Sequence, residues 1–246
     1  EVGIDADGGP REDEDGPAGP GDAQSAGGGG ATETEAFVAA VDAAGRTVER
    51  DVWIVLVPAQ YADRIEGWGF AVREQRDLGA LDRVLLRVDA PEDRDIAQAA
   101  LELAVDAPGT LVDLNHVYES SQAAGSEGRA PPGRVPLMAR AVPSEDPAPA
   151  QRAEIGMIDS SVAVDHPSLR GTVIEQRDFV PFAGARPLEH GTAVASILSG
   201  AAGPLPRRPA VGKIWAAAVF FEDGSGAQMA TTGSLVAALD WLAGAG

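Results

Sequence analysis

The chain has 246 residues, enough for one large domain or two small ones, and 44% of them are apolar. Its formal net charge of −19 argues against nucleic-acid binding, which needs a basic patch, and no apolar run is long enough to span a membrane. There is no cysteine, which excludes disulfides, thiolate nucleophiles and cysteine-based zinc sites.

The sequence opens on Glu1 without a basic-then-apolar leader, so any signal peptide would lie outside it. Residues 1–35 hold ten acids against one base, Arg11, which is close to half of the whole charge excess. They are rich in Gly and Pro and have almost no large apolar side chains. Such a stretch buries too little surface to offset its ordering entropy, and we read it as a disordered acidic tail.

Residues 36–120 read as a small α+β unit. Val52 to Val57 is a β-branched run stopped by Pro58, a strand. Gln60 to Trp68 predicts a short helix closing near Gly69. Phe70-Ala71-Val72 and Arg83 to Val88 read as two further strands, with Leu78-Gly79-Ala80 between them. From Asp95 to Val105 the apolar residues Ile96, Ala99, Ala100 and Leu103 fall on one face of an amphipathic helix, which Asp93 or Asp95 would cap. Pro108-Gly109 then turns the chain into a last strand, Thr110 to Leu114, followed by Asn115-His116-Val117-Tyr118. Strand, helix, strand, strand, helix, strand is the split βαβ, ferredoxin-like order.

Residues 121–150, with Pro131-Pro132-Gly133, Pro143, Pro147 and Pro149, have linker composition. Arg129, Arg134 and Arg140 lie in this connector, where a processing protease would find its natural cleavage point. An uncut connector is the other reading.

The chemistry-bearing stretch begins in residues 151–246. Ile155-Gly156-Met157-Ile158 is a short apolar run ending on Asp159, which reads as a buried parallel strand presenting a carboxylate at its carboxyl end. An unpaired buried carboxylate is costly, so Asp159 requires a partner. His190-Gly191-Thr192 opens a helix running to Leu198. Lys213 to Phe220 reads as another buried strand, Asp223-Gly224-Ser225-Gly226 as a turn with Ser225 a turn residue, and Val173 to Phe182 is left unassigned. Thr232 or Ser234 would cap a final helix with Leu235, Val236, Leu239 and Leu242 facing inward.

Ile158-Asp159-Ser160-Ser161-Val162, with Asp165-His166-Pro167-Ser168-Leu169 after it, resembles the Asp motif of the subtilisin-like serine proteases. His190-Gly191-Thr192-Ala193-Val194-Ala195 resembles their His motif, in the same chain order. Asn115 to Tyr118 is similar to the close of the propeptide domain that precedes the catalytic domain in that family. The family usually has Gly where this chain has Ser161 and Ser196, and a second His where it has Ala193. No segment resembles the motif that carries the nucleophilic Ser, or the Asn region of the oxyanion hole.

The resemblance implies an α/β, parallel-sheet, subtilisin-like catalytic domain, incomplete here, preceded by the ferredoxin-like propeptide-type domain. It implies a serine endopeptidase precursor with Asp159 as the orienting acid, His190 as the general base and the Ser outside this chain. His166 is a structural turn residue and His116 lies away from the chemistry. A non-catalytic pseudo-protease, or a fragment that associates with a second polypeptide supplying the Ser, is the alternative. Implied partners are a peptide or protein substrate, the chain's own propeptide-like domain and the C-terminal remainder of a protease. No catalytic cofactor is implied; calcium is a frequent structural ion of the family, with no ligands assigned here. The implied location is secreted, periplasmic or cell-surface.

Overall fold

In the computed structural model, residues 35–120, 153–199 and 211–245 are described. All but one residue of the acidic tail and all of the connector 121–150 therefore lie outside the described residues, Glu35 being the exception.

The first half is built on an antiparallel sheet. Strands β1 (Ala39–Val41), β2 (Thr47–Pro58), β3 (Val72–Leu78), β4 (Arg83–Asp89) and β5 (Leu111–Glu119) belong to it, as does helix α1 (Ile96–Asp106) against one face. The strand order β3-β4-β2-β5, with every neighbouring pair antiparallel, is that of two interleaved, split βαβ units. The first crossover is made of two 3₁₀ turns, Ala59–Arg64 and Glu66–Trp68, and it stops at Gly69, whose φ of 85° suits a residue without Cβ. Asp95 caps α1, its side chain accepting the Gln98 N–H at 2.8 Å.

Why residues 52–57 are apolar almost without a break follows from the sheet being covered on both faces. Trp53, Val55 and Val57 point into one apolar cluster with Phe70, Leu86, Ala99 and Leu103. Ile54 points the other way, into a second cluster with Leu85, Phe179, Ala217, Val219 and Ala237. β2 starts five residues earlier than its apolar run, and a bulge there carries Asp51 at a φ of 55°. β3 holds the polar run Arg73 to Asp77 rather than Phe70 to Val72. It is an edge strand whose charges pair with one another and with β4, as Arg76 does with Glu74 and Arg87 with Glu74.

The second half contains a parallel sheet in the order β6-β8-β7, from β6 (Ala153–Asp159), β7 (Val173–Asp178) and β8 (Val211–Ala218). Helix α2 (Glu189–Leu198) covers one face, where Met157, Ala195, Ile214 and Ala216 cluster. Helix α3 (Thr232–Gly244) lies against the other. There a Cβ on Gly156 would come 3.1 Å from the side chain of Leu242. The cap of α3 is Thr231, one residue before the expected Thr232, and it accepts the Ser234 N–H at 3.3 Å. The expected inner face of α3 is corrected at Leu239, which is 57% exposed, while Ala237 and Ala238 are buried. The helix is pressed between two layers, and small side chains let both approach.

The two halves are continuous. β9 (Phe221–Glu222) and β10 (Gln228–Thr231) extend the antiparallel sheet, with β10 pairing with β5 in the register Met229↔Glu119, Ala230↔Tyr118 and Thr231↔Val117. Ile54, Leu78 and Leu85 of the first half share a core with Phe179, Val219, Ala230 and Ala237 of the second. A buried polar joint accompanies it. Asn115 donates to Glu49 at 2.7 Å and accepts the Gly233 N–H at the start of α3 at 3.0 Å. Glu49 in turn pairs with Arg87, both nearly fully buried. Burial works against the Arg87 charge, but the hydrogen bonds and charge of Glu49, with Glu74 and Glu35 beyond it, more than compensate and hold its pKa above the ordinary arginine value.

Before β1 the chain straps across both halves. Glu35 pairs with Arg73 and Arg87, and its carbonyl accepts the Ala183 N–H at 2.9 Å. Phe37 packs edge-on against Phe182 and Phe221, each 5.1 Å away. Among the described residues no helix is long and apolar enough to cross a membrane.

Candidate active site

Asp159 ends β6 and His190 is the second residue of α2, so both stand at the carboxyl end of the parallel sheet. The structure brings them together: His190 Nδ1 is 2.7 Å from Asp159 Oδ1. The Asp159 side chain is only 13% exposed, whereas that of His190 is 57% exposed. The carboxylate is thus held inside while the imidazole is largely open to solvent. With the carboxylate on Nδ1, the neutral imidazole carries its proton there, and Nε2 presents a lone pair. Among the described residues Asp159 is the hydrogen-bond partner of His190, and no serine hydroxyl is bonded to it.

What brings α2 so close is Gly191. A Cβ at this position would come 2.7 Å from the Ser161 carbonyl oxygen and closer still to that of Ser160. Backbone of that kind does not yield, so only glycine allows the approach. The Gly191 N–H is taken up by Ser160 Oγ at 2.8 Å, and the Ser160 N–H donates to Asp159 Oδ1 at 2.6 Å. Two more bonds hold the loop: the Ala163 N–H donates to Thr192 Oγ1 at 2.9 Å, and the Val162 N–H to Gln176 Oε1 at 2.5 Å. Ser161 is buried and its φ is not positive, so its side chain costs no backbone strain there.

An open cavity of about 350 Å³ adjoins the pair, lined by Glu119, Ser120, Asp159, Ser160, His190, Phe220 and Gln228. The end of β5 therefore reaches the histidine, with the Ser120 N–H donating to the Gln228 carbonyl at 2.9 Å. The turn before β10 is closed by Asp223, which accepts from Ser225 Oγ at 2.6 Å, Ser225 N at 2.9 Å and Ala227 N at 3.0 Å. The Ser225 hydroxyl and these backbone donors pull the Asp223 carboxyl below the usual carboxylate range. Ser225 is thus a turn residue.

The other histidines stand apart from the pair. His166 caps the 3₁₀ turn Pro167–Leu169, where its Nδ1 lies 2.7 Å from Ser168 Oγ. His116 is on β5, opposite Val48 and 3.7 Å from Asp113. Among the described residues no group of three or more His, Asp or Glu side chains is arranged to hold a metal ion.

Sequence reasoning missed Ser160, Gln176, Thr192 and the cavity lining from β5 and β10. The adjacency of Ser160 to Asp159 and of Thr192 to Gly191 was the available signal. No family model matches the chain, and no curated protein matches it.

Proposed function

We propose that this chain is the N-terminal portion of a subtilisin-like serine endopeptidase precursor. Asp159 holds the tautomer of His190 and stabilises the imidazolium. Through Nε2, His190 takes the proton of a serine hydroxyl supplied from outside these residues. The serine attacks a peptide carbonyl, the protonated His190 returns its proton to the leaving amine, and water hydrolyses the acyl-enzyme by the same route. The observation that carries this reading is the 2.7 Å contact between Asp159 and His190 at the carboxyl end of a parallel strand.

In this reading residues 36–120 are the propeptide-type, ferredoxin-like domain, and their last strand occupies the substrate side of the site. Support comes from β5 pairing antiparallel with β10 and ending at the cavity beside His190. An extended peptide substrate would take the same place on β10 once that strand leaves. By the same family resemblance the protein is exported, to the medium, the periplasm or the cell surface.

The test is a peptidase assay on the chain alone and on the chain joined to, or mixed with, the segment that supplies the serine. The chain alone is expected to hydrolyse no peptide. The completed protein is expected to do so, and His190→Ala to abolish turnover by about 10⁴-fold or more. Hydrolysis that survives His190→Ala would overturn the assignment, and a completed protein without activity would favour a pseudo-protease.

A further inference from the structure

A crevice of about 440 Å³ lies where the turn between β3 and β4 meets α3 and strands β7 and β8. It is remote from His190 in composition: none of its lining residues borders the cavity beside the catalytic pair. Half-buried Trp215 and Trp241 border it together with Phe179, which is itself buried. The Trp241 ring lies 5.6 Å from Phe179 and 5.6 Å from Trp215, tilted against the first and edge-on to the second.

Two arginines close on the same ring. Arg76 Cζ is 5.5 Å from the Phe179 centroid and Arg177 Cζ 5.4 Å from it. Arg76 shares its charge with Glu74 at 2.9 Å. Arg177, exposed on β7, has this ring contact and, among the described residues, no ion pair. A guanidinium laid on an aromatic ring keeps the N–H groups of its edge free to donate. Both arginines also border the crevice, so an anion bound there would meet two positive charges.

The acids that also border the crevice do not occupy this place. Asp240 is 8% exposed, and its carboxylate is turned to the Leu81 N–H at 2.9 Å. Asp77 follows Arg76 along β3 and so points to the opposite face of the sheet. The volume is that of a pocket for a small molecule.

We infer that this crevice binds a small aromatic carboxylate, its ring against Trp241 and its carboxylate reaching Arg76 and Arg177. The inference is independent of the protease reading, since it uses none of that site's residues. Such a ligand touches the first half of the chain through Arg76 and the second through Arg177 and Trp241, and so it fastens the two together.

The test is calorimetric titration of the purified chain with 2-naphthoate, with tryptophan fluorescence read in parallel. Naphthalene-2-carboxamide serves as the uncharged ring and cyclohexanecarboxylate as the non-aromatic acid. Saturable one-to-one binding of 2-naphthoate with quenching of tryptophan emission is expected. Binding about 10-fold or more weaker is expected for both control compounds and for Arg177→Gln. Because Arg177 is exposed, that variant should keep the melting temperature of the ligand-free protein. The inference is overturned if the carboxamide binds as tightly as the acid, if Arg177→Gln binds unchanged, or if 2-naphthoate shows no saturable binding up to millimolar concentration.

Discussion

Asn115, fully buried on β5, joins two residues that are otherwise unconnected: its amide donates to Glu49 and accepts from the N–H of Gly233, 118 positions further along the chain. The charge on Glu49 fixes which way the amide points, and the amide fixes where α3 begins. Asn115→Ala removes both bonds, leaving a buried carboxylate with one donor fewer and a helix N–H unpaired. A loss of about 2–4 kcal/mol is expected in denaturant unfolding, more than a neutral side-chain hydrogen bond contributes. A loss under about 1 kcal/mol would mean that water replaces the amide.

Gly191→Ala is expected to be damaging out of proportion to one methyl group. The new Cβ meets two carbonyl oxygens of the Asp159 loop, so α2 has to back away and carry His190 with it. We expect about 1–3 kcal/mol of destabilisation and a shifted imidazole resonance for His190. Gly67→Ala is the control, since nothing lies within 4 Å of a Cβ there. Equal behaviour of the two variants would refute the close-approach argument.

The Asp159–His190 contact predicts a tautomer. In the neutral protein the His190 proton resides on Nδ1, and long-range nitrogen–proton NMR correlations should show Nε2 as the bare nitrogen. Asp159→Asn replaces one acceptor by an amide that can present either a donor or an acceptor, and the preference should then be lost. An Nε2-protonated ring in the unsubstituted protein would contradict the base role.

The turn from Asp223 to Ala227 gives a pH dependence with a definite sign. The folded Asp223 carboxyl lies below its ordinary value, chiefly because the Ser225 hydroxyl donates to it. Its contribution to stability is therefore complete above the unfolded value of about 3.9 and fades as the pH falls through the lower folded value. The Ser225 and Ala227 amides should stay protected from hydrogen exchange at neutral pH and lose protection only in acid. Ser225→Ala should move that loss to higher pH. Loss of protection at the same pH in Ser225→Ala as in the unsubstituted protein would argue against the carboxylate as the lock.

How much of this was legible in the sequence depended on how local the cause was. Asp95 at the start of α1, the stop at Gly69 and the strand ending on Asp159 are local, and all were readable. β3 was not, because its residues Arg73 to Asp77 are held by ion pairs across an edge rather than by apolar alternation. The strand character of Asn115 to Glu119 was hidden for another reason: one partner, β10, lies more than a hundred residues downstream and is only four residues long. The inward side of α3 was misplaced at Leu239 because helical periodicity assumes one buried face, whereas this helix has two. At the site, the residue types Asp and His were readable, while the roles of Ser160 and Gly191 depend on a loop and a helix meeting in space.

The pairing of β5 with β10 also bears on the order in which the chain can fold. β9 and β10 span only two and four residues, and a hairpin that short has no stability of its own in water. β2 to β5, by contrast, pair with one another within residues 47–119 and have their own apolar cluster. They are also made first on the ribosome. The late strands are therefore expected to pair with an edge already formed, after the loop closure they require. A polypeptide starting at residue 153 would lack that edge. It should collapse quickly around Met157 and Ile214 and then wait, with Gln228 to Thr231 unpaired, for a strand that it does not contain.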